Sequence, residues 1–488
     1  MSARGPALVL AFAVLVVAVL AGTRSQPVEA ATRTIRVPQD APTLQVAIDG
    51  SAPGDLILLD RGTYPGGFIV PESKPGITIR GVDRNEVVFD GQDVYLNGID
   101  IDADGVVLEN MSAHNFSGNG FYWDGVDGFA GRYLTVWNVN LYGIYAIESR
   151  NGIFEHSLVS GAADAAFYIG ECNPCDTVLR DLVARYSAIG YSGTNAGGNL
   201  EIRDSLWELN GTGILPNSFN GQPAPPPQRD SVIAGNVIRD SGTVPVPANS
   251  PLAGFIGLGI GIAGGHENVI EDNEITGSDR YGIALFATLQ EDRSQWLPDG
   301  NEIRGNTVTG SGVADLAMAE GSRIPNCFAT NEFGSSLPAD IETVMPCDGE
   351  PSSDGDPRVS EDLAIPIPLA LERLGERPRY QDMPVPEPQP NMPGVEAPGA
   401  SPDAGGSPGS APPETSASAS PTESAPSEAS PSASGSASDP AEAPSASRGP
   451  DGVGASTAGP PTALLVVGLV VVIGAILVGW LAWRRRRR

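Results

Sequence analysis

The sequence is poor in basic residues and in histidine. Lys74 is the only lysine, His114, His156 and His266 are the only histidines, and 29 Lys and Arg stand against 59 Asp and Glu, a net charge of −30. Pro75 follows the lysine, so no Walker A phosphate loop is present. A body this acidic repels phosphate backbones, which argues against nucleic-acid binding. No two histidines have metal-ligand spacing, and we expect neither a metal ion nor a cofactor.

Cysteine is scarce as well. The four cysteines are Cys172, Cys175, Cys327 and Cys347, and in an exported chain an even count favours disulfides, for which three connectivities are possible. Proximity in the sequence favours Cys172–Cys175 and Cys327–Cys347. The Cys172-Asn-Pro-Cys175 run could instead be a redox motif, but it does not open a predicted helix as in thioredoxin-like proteins.

Long apolar runs occur at the two ends of the chain. Arg4 precedes the apolar run 7–21, and Val28-Glu29-Ala30 places small residues at positions −3 and −1 of a cleavage site. This pattern predicts a signal peptide over residues 1–30, with an uncleaved anchor as the alternative.

The C-terminal run has the length of a membrane span. Residues 463–483 carry no charge, and five arginines follow them. We therefore predict a transmembrane helix at 462–483 and a cytoplasmic basic tail at 484–488. The protein is expected to cross the plasma membrane once, with an extracellular N-terminal ectodomain.

A segment of low complexity precedes the predicted helix. Ser, Pro and Ala fill 36 of the 50 positions in 401–450, and such a composition cannot bury enough apolar surface to fold. It predicts a disordered stalk over 384–461, which follows a C-terminal cap or irregular extension over 321–383.

The body of the chain is built from repeats. An apolar–x–x–amide–x–apolar phrase recurs at Ile233–Ile238, Ile270–Ile275 and Ile303–Val308, with looser copies marked by Asn110, Tyr133, Ser157, Asp181 and Ser205. From Asn110 to Asn306 the marked positions are separated by 23, 24, 24, 24, 31, 37 and 33 residues. Pro- and Gly-rich inserts near 217–229, 243–253 and 287–299 account for the longer intervals.

A second phrase follows the first in most repeats. It pairs a small residue with an apolar one, as in Gly120-Phe121, Gly143-Ile144, Ala166-Phe167, Ala188-Ile189, Gly213-Ile214 and Gly282-Ile283. Short β-branched runs with a period of about 24 are typical of a solenoid whose coils pair in parallel. Asn at a fixed turn tolerates left-handed φ and can stack its amide on the next coil.

These repeats resemble those of right-handed parallel β-helix proteins, the pectin-lyase-like fold with its PbH1 repeats. The opening Thr43–Ile48, followed by Pro53-Gly54-Asp55 and Gly62-Thr63-Tyr64, is similar to the start of many such proteins, in which an amphipathic helix closes the N-terminal end. The resemblance implies an all-β fold, a right-handed β-helix within 31–320 that begins with a short capping helix. The fold hosts lyases, hydrolases, epimerases, esterases and non-catalytic binders, so it does not determine a reaction.

Known catalytic motifs of this fold are missing from the sequence. The signatures of polygalacturonases, mannuronan epimerases, pectate lyases and pectin methylesterases do not occur. Asp100-x-Asp102-x-Asp104-Gly105 begins like a calcium loop, but Met111 stands where the final Glu would be. An acidic turn is the simpler interpretation.

One constellation remains as a candidate ligand site. Alignment of the coils on the second phrase places Tyr122, Tyr145 and Tyr168 in one outward column, with Asp124, Glu148 and Glu171 just beyond them. Aromatic rings beside carboxylates suit sugar rings, and two close carboxylates could act as general acid and base. The alternative is that the tyrosines only stabilise the sheet.

Three functional hypotheses follow. The first is a membrane-tethered extracellular module that contacts a glycan or other cell-wall material without catalysis. The second is a surface-anchored polysaccharide lyase or glycoside hydrolase. A third, an accessory protein similar to the β-helical proteins of nitrous oxide reductase maturation, lacks a Cys/His cluster that would support it.

Overall fold

The computed structural model describes residues 33–395. The predicted signal peptide 1–30, transmembrane helix 462–483 and basic tail 484–488 lie outside the described residues, as does the predicted stalk beyond residue 395. Within 33–395, no helix is long and apolar enough to cross a membrane.

Short strands are the main secondary structure of the described chain. In chain order they are β1 (Thr34–Val37), β2 (Leu56–Leu59), β3 (Gly62–Pro65), β4 (Phe68–Val70), β5 (Thr78–Gly81), β6 (Val87–Asp90), β7 (Asn97–Ile101), β8 (Val106–His114), β9 (Asn119–Asp124), β10 (Asp127–Val139), β11 (Ile144–Ile147), β12 (Arg150–Glu155), β13 (Leu158–Ala162), β14 (Ala165–Gly170), β15 (Thr177–Arg180), β16 (Val183–Arg185), β17 (Ile189–Thr194), β18 (Gly197–Arg203), β19 (Leu206–Glu208), β20 (Thr212–Asn217), β21 (Arg229–Ala234), β22 (Val237–Arg239), β23 (Leu258–Ala263), β24 (Val269–Glu271), β25 (Glu274–Thr276), β26 (Tyr281–Phe286), β27 (Thr288–Leu289), β28 (Gln295–Trp296), β29 (Glu302–Arg304), β30 (Thr307–Thr309), β31 (Ala314–Met318), β32 (Cys327–Ala329), β33 (Glu332–Phe333) and β34 (Ser336–Leu337). The helices are α1 (Leu44–Gly50), α2 (Ile341–Val344), α3 (Pro357–Leu363) and α4 (Ile367–Glu372), with 3₁₀ turns at Pro251–Gly254 and Tyr380–Asp382.

The strands form a parallel solenoid, as the repeats predict. One sheet of eleven strands, here called the front sheet, stacks β4, β7, β9, β11, β14, β17, β20, β23, β26, β31 and β34 in that order. The remaining coil strands form a 21-stranded back sheet, and the β27–β28 hairpin is antiparallel. The solenoid continues to β34, past the boundary expected at residue 320.

The core lies between the front and back sheets. Phe121, Ile144 and Phe167 pair in register along the front sheet and are fully buried, because alternate residues of a strand point to opposite faces. Helix α1 closes the N-terminal end as expected: the Thr43 side chain caps it by accepting from the Val46 amide, and Leu44 and Ile48 are buried.

Two adjacent positions build the repeated turn. The first is left-handed, with φ between 49° and 65° at Asn110, Tyr133, His156, Asp181, Asp204, Gly235, Asp272 and Gly305. At the second position, the side-chain oxygen accepts a hydrogen bond from a backbone amide of the preceding coil. The pairs, with the acceptor first, are Ser157 with Leu134 (3.1 Å), Ser205 with Leu182 (3.0 Å), Asn273 with Asn236 (3.0 Å) and Asn306 with Asn273 (3.0 Å). The amide ladder is therefore real, but Asn110, Tyr133 and Asp181 lie one residue earlier than the sequence alignment placed them.

The small residue of the second phrase has a packing reason. A Cβ on Gly120 would lie 2.6 Å from Val136 Cγ1 and 2.6 Å from the Gly143 carbonyl oxygen. A Cβ on Gly143 would lie 2.6 Å from the Ala166 carbonyl and closer still to Val159. At these positions the start of a front strand lies directly against a back strand.

The C-terminal extension packs on the solenoid in two places. Helices α3 and α4 cover the outer face of the late front strands, where Val359, Leu363 and Ala370 join a second apolar core. The chain then runs back along the solenoid as a segment that begins with the 3₁₀ turn Tyr380–Asp382 and continues in irregular backbone to Met392. We call this segment, Tyr380–Met392, the strap. Its carbonyl and amide groups bond to Asn85, Asn110, Asn138 and Ser160, so residues 384–392 do not form the free stalk that their composition predicts.

Candidate functional site

The three predicted tyrosines lie side by side on the front sheet. Tyr145 pairs in register with Tyr122 on one side and with Tyr168 on the other. Their neighbours Phe121, Ile144 and Phe167 point into the core, so the tyrosines lie on the outer face. Tyr122 and Tyr145 are half-buried, whereas Tyr168 is buried.

The rings form a cluster and not an open platform. Tyr122 and Tyr145 stack with centroids 4.7 Å apart and planes 10° apart, and Tyr142 stacks on Tyr145 at 4.4 Å and 18°. Tyr168 meets Tyr145 edge-on at 4.9 Å. Two near-parallel rings therefore stack on Tyr145, so part of the surface of this ring is already covered by neighbouring tyrosines. Tyr142 directly precedes Gly143 of the second phrase, but it lies outside the column that the repeats predict.

The three predicted carboxylates do not share one column. Glu148 and Glu171 follow β11 and β14 at equivalent positions of adjacent coils, and both have left-handed backbones, with φ of 49° and 58°. Asp124 is one position earlier, opposite Ile147. All three remain beside the tyrosines.

Glu171 has a strongly raised pKa. It is 5% exposed, and burial raises its pKa to about 8 against an opposing hydrogen bond from the Ala224 amide, with a further raise from the neighbouring Glu148. The Ala224 nitrogen lies 3.0 Å from Glu171 Oε2. Glu171 is therefore mostly protonated at neutral pH, next to a second carboxyl group.

Two further acids, outside the predicted set, extend the site. Asp100 lies opposite Tyr122 in the outward column, and burial raises its pKa to about 7, aided by Asp102 and Asp124. Asp164 is buried beside Tyr142, and burial raises its pKa to about 6 although hydrogen bonds from Tyr142 and Ser250 oppose the shift.

The calcium-loop alternative for the run 100–105 gains no support from this arrangement. Asp100 belongs to β7 and lies next to the tyrosines, and Asp104 accepts from the Asp127 amide at 2.7 Å. Across residues 33–395, no group of three or more His, Cys, Asp or Glu side chains is placed to hold a metal ion.

Two of the predicted inserts wall the site. The loop 218–228 places the Ala224 amide on Glu171. The segment 240–257 reaches the other side, where the Asn249 amide donates to the Ala163 carbonyl at 2.7 Å. Both inserts belong to later coils than the tyrosines and lean back over them, which no local pattern in the sequence indicates.

A cavity of about 440 Å³ opens beside the acids. It is lined by Glu148, Glu171, Asn173, Pro223, Ala224, Pro225, Pro226, Pro227 and Arg229. Arg229 is the single cation of this lining, and its guanidinium lies within 3.6 Å of the carboxylates of Asp230 and Glu267. The cavity is therefore acidic and hydrogen-bonding on one side and proline-rich on the other.

The cysteines pair as proximity predicts. Cys172–Cys175 and Cys327–Cys347 are both disulfide-bonded. The first bridge closes the turn that carries Asn173 into the cavity wall, directly after Glu171. The second joins β32 to the chain just after α2, at the C-terminal end of the solenoid.

Comparison with known proteins agrees with this fold. The model of the family described as "Right handed beta helix region" matches residues 119–337. No curated protein matches the chain at a significant level.

Several solved structures are similar to this chain at low identity. An alginate lyase from Paenibacillus sp. str. FPU-7 is 16% identical with a TM-score of 0.38, over 63% of this chain and 96% of that one. The A-module of a mannuronan C-5 epimerase from Azotobacter vinelandii is 15% identical with a TM-score of 0.38, over 60% and 92%. A tailspike variant of E. coli bacteriophage HK620, in complex with a pentasaccharide, is 10% identical with a TM-score of 0.43, over 59% of each chain. Over residues 119–337 this chain is similar to the right-handed β-helix family.

Proposed function

We propose that the front sheet binds a linear polysaccharide without cleaving it, in an ectodomain tethered outside the plasma membrane by the predicted helix at 462–483. The observation that carries this proposal is the row Asp100, Tyr122, Tyr145 and Tyr168, which pairs in register across four adjacent coils. Strands repeat about every 4.8 Å, so the half-buried members Asp100, Tyr122 and Tyr145 present carboxyl and hydroxyl groups along a line, as an extended polymer requires.

The charge of the site narrows the ligand class. The acids of the row and cavity face one cation, Arg229, which already lies beside two carboxylates. The ionised fraction of these acids would repel a polyanion, and a protonated carboxyl group such as that of Glu171 offers it no positive charge. Neutral sugar hydroxyls or sugar amines would instead meet carboxyl groups that can hydrogen-bond to them. We therefore favour a neutral or amine-bearing glycan.

Binding is tested with the purified full-length chain and three probes: cello-oligosaccharides (neutral), chitosan oligosaccharides (amine-bearing) and oligogalacturonates (anionic). Calorimetry should detect one of the first two and not the third. Tyr122→Ala should weaken binding by about tenfold or more, as expected for an interface aromatic. Glu155→Gln, a buried acid on the back sheet, is the matched control and should leave affinity unchanged. Binding only to the anionic probe would contradict the proposal.

A second candidate is a polysaccharide-cleaving enzyme, which the Glu148–Glu171 pair favours. A protonated acid beside a second carboxyl group has the components of general acid and base catalysis. The same probes, assayed for new reducing ends and for unsaturated products, separate the two functions. Turnover that falls about a hundredfold in Glu171→Gln would replace the binding proposal with catalysis.

A further inference from the structure

The strap Tyr380–Met392 is held by polar groups of successive coils. The Asn85 side chain makes two hydrogen bonds with the backbone of Gln389. Its oxygen accepts from the Gln389 backbone amide at 2.8 Å, and its nitrogen donates to the Gln389 backbone carbonyl at 2.9 Å. The Asn391 side chain accepts from the Arg84 amide, and the Met392 amide donates to Asn110 Oδ1 at 2.8 Å.

The other end of the strap binds the next two coils. Asn138 donates to the Gln381 carbonyl at 3.2 Å, and Ser160 donates to the Pro384 carbonyl at 3.1 Å. Met383 lies against Gly161, where an added Cβ would come within 2.6 Å of it. The strap therefore ties together four consecutive coils.

These are the coils that carry the row of the candidate site. The coil of Arg84 leads into Asp100, that of Asn110 into Tyr122, that of Asn138 into Tyr145 and that of Ser160 into Tyr168. The back strands under the strap also touch the front strands directly, because Val136 lies against Gly120 and Val159 against Gly143. If a back strand under the strap moves, the side-chain contact of Val136 or Val159 passes the movement directly to the start of β9 or β11.

The burial of Arg84 makes the strap easier to detach than the number of hydrogen bonds between the strap and the solenoid implies. The Arg84 side chain is 3% exposed and donates to Leu134 O, Thr135 Oγ1 and, from the strap, Pro390 O. Those acceptors are neutral, so covering this guanidinium with the strap carries a desolvation cost that only carbonyl and hydroxyl groups offset. Burial lowers its pKa to about 10.

We propose that the strap is a detachable brace that sets the affinity of the front-sheet site by holding its four coils in fixed positions. The strap touches the back of the coils and not the ligand, so its residues act as positioning residues. The inference deepens the proposed function and rests on it.

The test compares Asn85→Ala with Gln389→Ala in the full-length chain. Within residues 33–395, the Asn85 side chain hydrogen-bonds only to the strap, whereas the Gln389 side chain donates to the Glu387 carbonyl within the strap. Hydrogen exchange of the ligand-free chain should accelerate about tenfold at the strap amides in Asn85→Ala, as the loss of two hydrogen bonds implies. Exchange should also accelerate in β9, β11 and β14, while Gln389→Ala leaves both regions unchanged.

Affinity for the chitosan or cello-oligosaccharide probe should fall about fivefold in Asn85→Ala. Faster exchange in the strap with unchanged front strands and unchanged affinity would overturn the brace. If Asn85→Ala leaves the strap protected, the double variant with Asn391→Ala is used, and protection that persists there overturns detachability. Exchange is measured without ligand, so a failure of all probes to bind refutes the proposed function while the exchange result still decides whether the strap braces the front strands.

Discussion

Replacing Glu171 by Gln should change how the stability of the protein depends on pH. Burial raises the pKa of Glu171 from 4.5 to about 8 in the folded chain. A carboxyl group with a raised folded-state pKa holds its proton longer in the folded chain, so its contribution to stability is complete below pH 4.5. That contribution is lost as the pH rises toward 8, because the unfolded chain then gains by ionising.

The size of the effect follows from that shift. Each pKa unit corresponds to about 1.4 kcal/mol, so between pH 5 and pH 8 the wild-type chain should lose on the order of 3 kcal/mol more than Glu171→Gln. The glutamine keeps an oxygen that can accept from the Ala224 amide. Asp100 and Asp164 also have raised pKa values, but they are present in both chains and cancel in the comparison.

Urea unfolding followed by circular dichroism at pH 5.0, 6.5 and 8.0 measures this difference. Glu155→Gln is the matched control: burial would raise the pKa of Glu155, but hydrogen bonds from Arg180 and Arg132 outweigh it and lower the pKa. Its contribution lies below the measured window, so Glu155→Gln should destabilise the chain by a similar amount at all three pH values. Parallel pH profiles for wild type and Glu171→Gln would refute the buried, protonated acid.

Three further predictions concern the packing of the coils and the tyrosines of the site. Asn273→Ala should lower the free energy of unfolding by about 2–4 kcal/mol in urea titrations, because buried donors of the amide ladder lose their acceptor; a loss below about 0.5 kcal/mol would argue against the ladder. Gly143→Ala should lower the free energy of unfolding by about 1–3 kcal/mol through overpacking. Gly50→Ala is the control, because a Cβ there would meet nothing within 4 Å, and it should change the free energy of unfolding by no more than about 1 kcal/mol. Equal losses in the two variants would contradict the coil register. Tyr145→Phe keeps the stacked ring and loses the hydroxyl group, so it should keep the thermal midpoint and weaken glycan binding. Tyr145→Ala removes the ring as well, so it should lower both the thermal midpoint and the affinity. Unchanged binding in both variants would mean that the tyrosines only pack the sheet.

The repeat and the direction of its side chains were readable from the sequence. The period of about 24 residues and the alternation within each strand are properties of the local chain, and they correctly placed Phe121 inside and Tyr122 outside. The alignment failed by one residue at Asn110, Tyr133 and Asp181. Polar residues such as Asn, Asp and Ser occur both at the left-handed turn position and at the stacking position that follows it. The repeat pattern therefore merged these two adjacent positions into one.

The candidate site was only partly readable. The pattern selected Tyr145 and Glu171, but Tyr142 and Asp100 joined them only in the structure. Membership in the site depends on burial, and the inserts that create the burial interrupt the repeat and so have no periodic signal. Burial raises the pKa of Glu171, and the Ala224 amide that bonds to this buried acid comes from a loop more than fifty residues later.

Composition misled at one place. Residues 384–392 are rich in proline and resemble the stalk that follows, yet they lie on the solenoid through Asn85 and Asn110. The sequence by itself determined the solenoid, because period and alternation are set by neighbouring residues along the chain. Only the tertiary structure decided which acids are buried and where the C-terminal segment binds, because both depend on contacts between residues that are distant in sequence and follow no repeat.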